Sequence, residues 1–530
     1  MKFKKIILAL ACLSSPLYAE QDQQLQQDIQ RLQKQTRVLQ AQLDKLQQQV
    51  VAQKKNPSRH KIEPINNTNK PEHHLALVKK TKKQAQKKYH SSEVVVHAPD
   101  DPSESIHYYP TALIADHRVV TYIAGTPVVT SPYLGARPAF DGSDYIVNIS
   151  SINRDIRLME QRRRLYQAYQ SIGYPVPQVP ILALSGKTEP IAVFNKPYSS
   201  RTSADLTLGS SEFDLAAALN QNVEAYIAIA YDASPPEVGP RIDNSAFNLN
   251  MGFVNIGNLD KTPLYFTAGQ LYVPFGRYSS SMVSAPITLN LARTKTRPFI
   301  LGYKSQEVTG PFAAIYGYRS DTNLGGAAVG GANLGYVFSY QENTGEIGAS
   351  FISSLDDSAG MQHTGSPRGT TFGGFGSPNN GNEMVRKTPA LDVHATLGYE
   401  RFNFAVEWVG ALESFRTQDL SFNGQGARPE AAQAEVDMTF RAFDRPSSIG
   451  FSYQWSKDAL ALNLPQQRFS GVFNISIWKD TVESIEYKHD LDYGTNQFAN
   501  GAAPTGLVNA TTIGTGRSAD TVSVQIGVFF

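Results

Sequence analysis

The last eleven residues, 520–530, constrain the fold of this chain more than any other stretch. Apolar residues occupy every second position of the segment: Val522, Val524, Ile526, Val528 and Phe530. The positions between them are mostly small or polar, so a strand here has one apolar face and one face that tolerates water. Such a strand, ending on an aromatic residue, is typical of the last strand of an outer-membrane β-barrel. Phe530 is then expected to act as an assembly signal; a soluble edge strand is the alternative.

The N-terminus has the pattern of a secretory signal peptide. Three lysines precede an apolar run at 6–13, and the small residue Ala19 closes the segment, so we expect residues 1–19 to be removed on export. Cys12, the single cysteine, lies within it. The mature chain then has no thiol for a disulfide, a nucleophile or a metal site.

Apolar runs elsewhere are too short for a transmembrane helix, which needs about 20 residues. Barrel strands need only about 10 residues, of which every second one is apolar. The sequence therefore excludes a helical membrane protein and leaves a large β-barrel open.

The charge is distributed unevenly along the chain. Residues 20–98 carry 15 basic and 7 acidic side chains, whereas residues 99–530 carry 31 and 40. A basic arm on an acidic body could suggest nucleic acid, but an exported chain rarely meets any. The pattern favours a solvated arm near anionic polymers of the cell envelope.

Residues 20–51 follow a heptad pattern, which only Thr36 interrupts. Leucines recur at d positions, and mostly β-branched or apolar residues recur at a positions. The candidate oligomerisation residues are Leu25, Ile29, Leu32, Leu39, Leu43, Leu46 and Val50. The pattern predicts a coiled coil and hence a homo-oligomer, with dimer and trimer both open. A lone Gln-rich helix is the alternative.

The middle of the chain divides by composition. Residues 52–93 are rich in Lys, Gln, Asn and Pro and predict a basic low-complexity linker. Residues 94–190 predict a small periplasmic or plug-like element with one helix, closed by Gly173. The basic run 162–164 on this helix favours a solvated face over a ligand contact.

Residues 191–530 predict an all-β transmembrane barrel of about sixteen antiparallel strands, within a range of fourteen to eighteen. The predicted strands are 202–209, 211–219, 222–232, 244–256, 262–272, 297–304, 308–318, 329–340, 345–355, 389–399, 402–412, 432–443, 447–457, 467–478, 481–490 and 520–530. Short and long connections alternate between them, as periplasmic turns and extracellular loops do in outer-membrane barrels. If 206–219 is one strand, 191–195 can supply the missing one.

The connection at 273–299 is the candidate functional segment. It contains Arg277, Arg293, Lys295 and Arg297 and no acidic residue. A loop folded into the lumen narrows a porin channel, and cations there select anions. We therefore predict a constriction or substrate site, with Tyr272 and Tyr278 as walls. The alternative is an exposed loop whose cations meet lipopolysaccharide phosphates.

Other groups bear on the chemistry of the lumen. Acidic residues on other strands, such as Glu224, Glu407 and Glu486, could form an opposing wall. The barrel histidines lack the local spacing of a metal site or a catalytic triad. The sequence therefore predicts no enzyme, no metal and no cofactor.

The overall layout is similar to that of a known family. The signal peptide, the Gln-rich coiled coil, the segment GTPVVTSPYLG (125–135) and the barrel resemble the siderophore porin family of Legionella-type bacteria, the legiobactin-receptor type. The resemblance implies passive or facilitated uptake of a ferric siderophore across the outer membrane, with the N-terminal region in the periplasm. Separately, GQLYVPFGR (269–277) looks like the signature of phosphate-selective porins.

Two other functions remain open at this point. One is a general or anion-selective diffusion porin. The other is a structural envelope protein that uses its basic coiled-coil arm as a tether.

Overall fold

The computed structural model describes strand residues 119–123, 126–130, 139–140 and 146–147, and then residues 152–171, 181–232, 246–307, 309–320, 322, 328–340, 343–363, 374–375, 385–478, 481–501 and 511–529. The predicted signal peptide (1–19), coiled coil (20–51), linker (52–93) and terminal Phe530 lie outside these residues and stay predictions.

Four short strands and a helix precede the barrel. They are β1 Val119–Ile123, β2 Thr126–Thr130, β3 Ala139–Phe140, β4 Ile146–Val147 and α1 Arg154–Ser171. β1 and β2 form an antiparallel hairpin, and β3 pairs with β4. None of the helices within the described residues has both the length and the apolar character needed to span a membrane.

Sixteen barrel strands follow, of which the first two are each built from two pieces. They are β5 Ile181–Thr188 with β6 Ile191–Lys196, β7 Ser203–Thr207 with β8 Glu212–Ala218, β9 Val223–Asp232, β10 Ala246–Gly257, β11 Leu264–Tyr272, β13 Phe299–Lys304, β14 Gly310–Arg319, β15 Ala328–Tyr340, β16 Asn343–Ile352, β17 Ala390–Tyr399, β18 Phe402–Ala411, β21 Glu430–Ala442, β22 Arg445–Lys457, β23 Gln467–Ile475, β24 Thr481–Leu491 and β27 Ser518–Phe529. The loops add α2 Ile287–Ala292, β12 Lys295–Thr296, α3 Ala359–His363, β19 Leu420–Phe422, β20 Gln425–Gly426, a 3₁₀ turn Leu460–Leu462, β25 Phe498–Gly501 and β26 Thr512–Ile513.

The last strand closes the sheet on the first. β27 pairs with β24 along one edge and with β5 and β6 along the other. The register is continuous across both pieces, with Gln525 opposite Ile191 and Val528 opposite Thr188. Closure removes the unpaired edges that an open sheet would expose. The predicted antiparallel barrel of about sixteen strands is confirmed.

The start of the barrel differs from the prediction. Segments 202–209 and 211–219 are one bent strand rather than two, since β6 pairs with β7 and β5 pairs with β8. The bend contains Gly209, whose φ of +58° favours glycine. The missing strand comes from 181–196, so the wall begins about ten residues before the predicted boundary at 191.

The two faces of the wall have opposite chemistry. Phe299 is 66% exposed on the outside of β13, whereas its neighbour Ile300 is 1% exposed. On β27, Val524 and Ile526 lie on the exposed face and Ser523 is buried, as the alternation predicts. Large apolar residues continue this outer surface around the barrel: Leu206, Phe247, Ile315, Leu334, Ile347, Phe451 and Ile485. Such an apolar belt suits lipid and is unusual on a water-soluble monomer.

The connections divide between two rims. Within the described residues, those at 219–222, 258–263, 400–401 and 443–444 are short and define the short-turn rim. Those at 273–294, 412–429 and 458–466 are longer and lie at the long-loop rim. The alternation along the chain agrees with the sequence prediction.

Candidate functional site

The connection between β11 and β12 turns inward across the barrel; we call residues 273–294 the inward loop. Five of its apolar side chains are almost wholly buried: Val273, Phe275, Tyr278, Ile287 and Leu291. α2, within this loop, contacts β18, β21 and β22, which belong to a distant part of the wall. The loop therefore crosses the lumen instead of extending into solvent.

Glu407 of β18 holds the first part of the inward loop. Its Oε1 accepts hydrogen bonds from the backbone N–H groups of Arg277 (2.6 Å) and Tyr278 (2.9 Å). Its Oε2 accepts hydrogen bonds from the Thr288 hydroxyl (2.7 Å) and the Gln433 amide (3.1 Å). All four lone-pair positions of the carboxylate are then used.

Two further carboxylates continue the attachment. Glu435 of β21 accepts hydrogen bonds from the Ser281 N–H and the Ser280 hydroxyl, each at 2.7 Å. Glu486 of β24 accepts one from the Ser284 N–H at 2.7 Å. We call Glu407, Glu435 and Glu486 the carboxylate row. Each of the three side chains accepts at least one hydrogen bond from a backbone N–H of the loop, so the row fixes the path of the loop.

Three cations of the segment lie in two environments. Arg277 faces the wall, with Nη2 3.3 Å from Glu346 Oε2 of β16. Arg293 lies over the Tyr272 ring at 4.4 Å, and Lys295 Nζ is 5.9 Å from the same ring. Lys295 also donates to Asn250 Oδ1 at 3.0 Å. Arg293 is half-buried and Lys295 is exposed, so both are accessible at the long-loop rim.

Two predicted site residues are not placed where a constriction needs them. Arg297 lies opposite Gln270 and bonds to its side chain at 3.4 Å. Arg297 has the strand parity of exposed Phe299, so it points to the outside of the wall. Lys295 has the same parity, but its Nζ reaches Asn250, whose amide donates to Glu212 on the inner face. Tyr278 is buried beneath the loop, and this burial raises the pKa of its phenol well above the usual range. It therefore packs the loop instead of lining an open channel.

A second element lies within the barrel. α1 packs against the inner face of β8 to β11, where Arg154 bonds to Glu212 and to Tyr226 Oη, each at 2.9 Å. Arg162 Nη1 lies 3.3 Å from Glu224 Oε2. Both ion pairs are buried, which contradicts a solvated face for Arg162. The more exposed Arg163 pairs with Asp260 at 2.7 Å at the short-turn rim.

Asp155 shows how deeply α1 is inserted. Its side chain is buried and accepts hydrogen bonds from the Thr267 hydroxyl (3.1 Å) and the Ile156 N–H (2.9 Å). Burial raises the pKa of this carboxyl, and the two hydrogen bonds only partly oppose the shift. The Asp155 carboxyl is therefore hydrogen-bonded to Thr267 of the inner wall instead of to water.

One group of potential metal ligands was missed by the sequence reading. Asp392, His394 and Glu407 are buried, with ligand atoms within 4.8 Å of one another. His394 Nδ1 lies 2.7 Å from Asp392 Oδ1, and Nε2 lies 3.5 Å from Glu346 Oε1. The sequence signal that could have indicated this group is the spacing of Asp392 and His394, which places both side chains on the inner face of β17. His394 pairs with Glu407 on β18. Because the inward loop already uses both oxygens of Glu407, a metal bound there would have to displace the loop.

Comparison with known proteins identifies the family. No family model matches the chain. A UPF0422 protein of Legionella pneumophila strain Paris is 71% identical over 536 residues, which cover all of both chains. A UPF0422 protein of Coxiella burnetii is 38% identical over 405 residues, covering 75% of this chain and 83% of that one. The chain belongs to the UPF0422 family.

Solved structures resemble this UPF0422 barrel only loosely. An anion-selective porin from Comamonas acidovorans has a TM-score of 0.42 and 11% identity, over 66% of this chain and 100% of that one. The outer membrane channel DcaP of Acinetobacter baumannii has a TM-score of 0.42 and 10% identity, over 68% of this chain and 99% of that one. Similarities this low carry no conclusion about solute or mechanism.

Proposed function

We propose that this protein is an outer-membrane diffusion porin for small anionic solutes, and that its preferred solute is a ferric siderophore. The observation that carries the channel function is the inward loop, held across the lumen of a closed barrel by the carboxylate row. Porin channels are narrowed in this way, and the charges at the narrowing select the solute.

The exterior of the barrel supports placement in a membrane. Its apolar belt would be costly to expose to water, whereas in lipid it needs no partner. The predicted signal peptide supports export. We assign the short-turn rim and the N-terminal region to the periplasm, and the long-loop rim to the cell exterior. The predicted coiled coil would join several barrels into a homo-oligomer.

The accessible charges support a preference for anions. The carboxylate row is buried, with Glu407 4%, Glu435 3% and Glu486 1% exposed, and loop donors occupy it. The cations at the mouth are less buried, since Arg293 is half-buried and Lys295 is exposed, and both lie beside Tyr272. A solute entering from the long-loop rim therefore meets positive charge before it reaches the carboxylates.

Transport by this route is facilitated diffusion. A carboxylate or phosphate group would pair with Arg293 and Lys295, while Tyr272 offers an aromatic surface beside them. The contacts are few and exposed, so the solute is bound weakly enough to leave. The choice of a ferric siderophore rests on the family resemblance and on the fit of a polycarboxylate to these cations.

Reconstitution in planar bilayers tests this proposal. We expect a ferric polycarboxylate siderophore to reduce the ion current in a saturable way, because it occupies the Arg293–Lys295 mouth. The double variant Arg293→Gln/Lys295→Gln should need several times more siderophore for the same reduction. Arg441→Gln/Arg445→Gln is the matched control, because these two exposed cations flank a turn at the opposite, short-turn rim.

Two results would count against the proposal. Equal currents with and without siderophore would reject the siderophore as solute. Equal siderophore sensitivity of the double variant and the control would reject the mouth as the site.

A further inference from the structure

Two arginines lie on the outside of the wall at the long-loop rim. Arg297 and Arg319 are both exposed. Each has the strand parity of an exposed apolar residue, because Phe299 on β13 is 66% exposed and Ile315 on β14 is 60% exposed. Tyr318, which has the opposite parity to Arg319, is only 7% exposed. Both guanidinium groups therefore lie between the apolar belt and the loops.

The strand register brings these two arginines together. In the antiparallel pair of β13 and β14, Phe299 lies opposite Gly317. The same register, extended by two residues, places Arg297 opposite Arg319. Side chains at directly opposite positions have Cβ atoms about 4.5–5.5 Å apart, and like charges there repel each other. An anion bound between the two arginines would remove this repulsion.

A third cation lies at the same rim. Lys387 Nζ donates a hydrogen bond to the Ala328 carbonyl oxygen at 2.6 Å. Ala328 is exposed and lies opposite Arg319 in the pair of β14 and β15. An ammonium group has three donors, and this contact uses one of them. We call Arg297, Arg319 and Lys387 the outer rim cations.

The charge of the outer rim cations is not balanced by carboxylates of the described residues. None of the three forms an ion pair there, and the acceptors of Arg297 and Lys387 are a neutral amide and a carbonyl. Glu413 pairs with Arg386 at 2.9 Å, and Asp357 is buried and accepts a hydrogen bond from Ser320. The described part of this surface therefore carries an excess of positive charge.

The surface next to the outer rim cations is apolar. Phe299, Leu301 and Ile315 are exposed on the adjoining wall, toward the middle of the strands. A ligand that fits this surface has an anionic group at the rim and apolar chains along the wall. A phosphorylated membrane lipid has both parts in this order, and arginine binds phosphate through two parallel hydrogen bonds.

We propose that the outer rim cations bind the phosphate groups of a lipid of the lipid A type, in the membrane leaflet that faces the cell exterior. The inference rests on the membrane orientation given under the proposed function and is independent of the solute. The charge complementarity and the adjoining apolar wall both favour a lipid phosphate over a free phosphate ion.

Lipid binding to the full-length protein tests this site. We would refold the protein in detergent free of lipopolysaccharide and titrate it with lipid A that carries two phosphates. The same lipid without phosphates serves as the comparison, and native mass spectrometry measures the bound lipid. We expect saturable binding of the phosphorylated lipid and severalfold weaker binding of the dephosphorylated one, because only the former pairs with the cations.

Matched variants locate the phosphate site. Arg297→Gln/Arg319→Gln/Lys387→Gln should bind phosphorylated lipid A severalfold more weakly and leave the binding of the dephosphorylated lipid unchanged. The control is Arg401→Gln/Arg441→Gln/Arg445→Gln, which removes three exposed arginines from the short-turn rim. This control should bind both lipids as the unmodified protein does.

Three outcomes would overturn the inference. Equal binding of the two lipids would show that acyl chains alone are recognised. Displacement of the lipid by an equal concentration of inorganic phosphate would indicate a site for the free ion. Equal weakening in both triple variants would reject the location, and Arg319→Gln alone tests the location if the triple variant fails to fold. No ion current is measured, so each outcome is independent of whether the barrel conducts anions.

Discussion

Replacing Glu407 and Glu435 together by alanine is expected to raise the single-channel conductance severalfold. The substitutions remove the acceptors of three loop N–H groups, those of Arg277, Tyr278 and Ser281. Each buried N–H left without an acceptor costs about 1–3 kcal/mol, so the docked position of the loop loses several such contributions. The loop should then leave the lumen for part of the time and widen the path.

Two readouts separate release of the loop from general damage. Planar-bilayer recordings give the conductance, and trypsin cleavage at Arg277 or Arg293 reports on access to the loop. Glu413→Ala is the control, because this exposed glutamate pairs with Arg386 away from the inward loop. A folded double variant with unchanged conductance and unchanged cleavage would show that the carboxylate row does not hold the loop.

Substitutions that release α1 from the wall are expected to produce the second large change, which is in the current through the barrel. In Arg154→Ala/Arg162→Ala the helix loses two buried ion pairs, with Glu212 and Glu224. Removing one partner of a buried pair costs about 3–5 kcal/mol, because the other charge is left uncompensated. The helix should detach, and the current through the barrel should become larger and more variable.

A matched control exists on the same helix. Arg163→Ala removes a pair whose partners are 31% and 43% exposed, and exposed pairs contribute only about 0–1 kcal/mol. Limited proteolysis of the α1 segment should accelerate in the double variant and hardly change in the control. Equal protection of the segment in both variants would contradict a role for the buried pairs.

The sequence predicted the wall well because the signal is local. Alternation with period two requires no knowledge of distant residues, and β27 shows it clearly, with Val524 outside and Ser523 inside. The start of the wall was harder, because Pro190 divides β5 from β6 and a bend at Gly209 divides β7 from β8. The alternation of apolar and polar residues is therefore interrupted within each bent strand.

The site was only partly predictable. The concentration of cations marked 273–299, and Glu407 and Glu486 were placed on the opposing wall. The contacts between them join residues more than 100 positions apart, such as Tyr278 and Glu407, so no local pattern encodes them. The sequence also could not show that Arg297 faces outward, since its parity depends on the pairing of β11 with β13. Burial of Arg162 was missed for the same reason: a basic run looks solvated until the wall beside it is known.

Single-channel recording of the purified, unmodified protein in planar bilayers with a salt gradient is the most direct test of the central claim. A porin with an anion-favouring mouth predicts discrete conductance steps and a reversal potential displaced toward that of the anion. Insertion into the bilayer without conductance steps, or with a reversal potential displaced toward that of the cation, would contradict it.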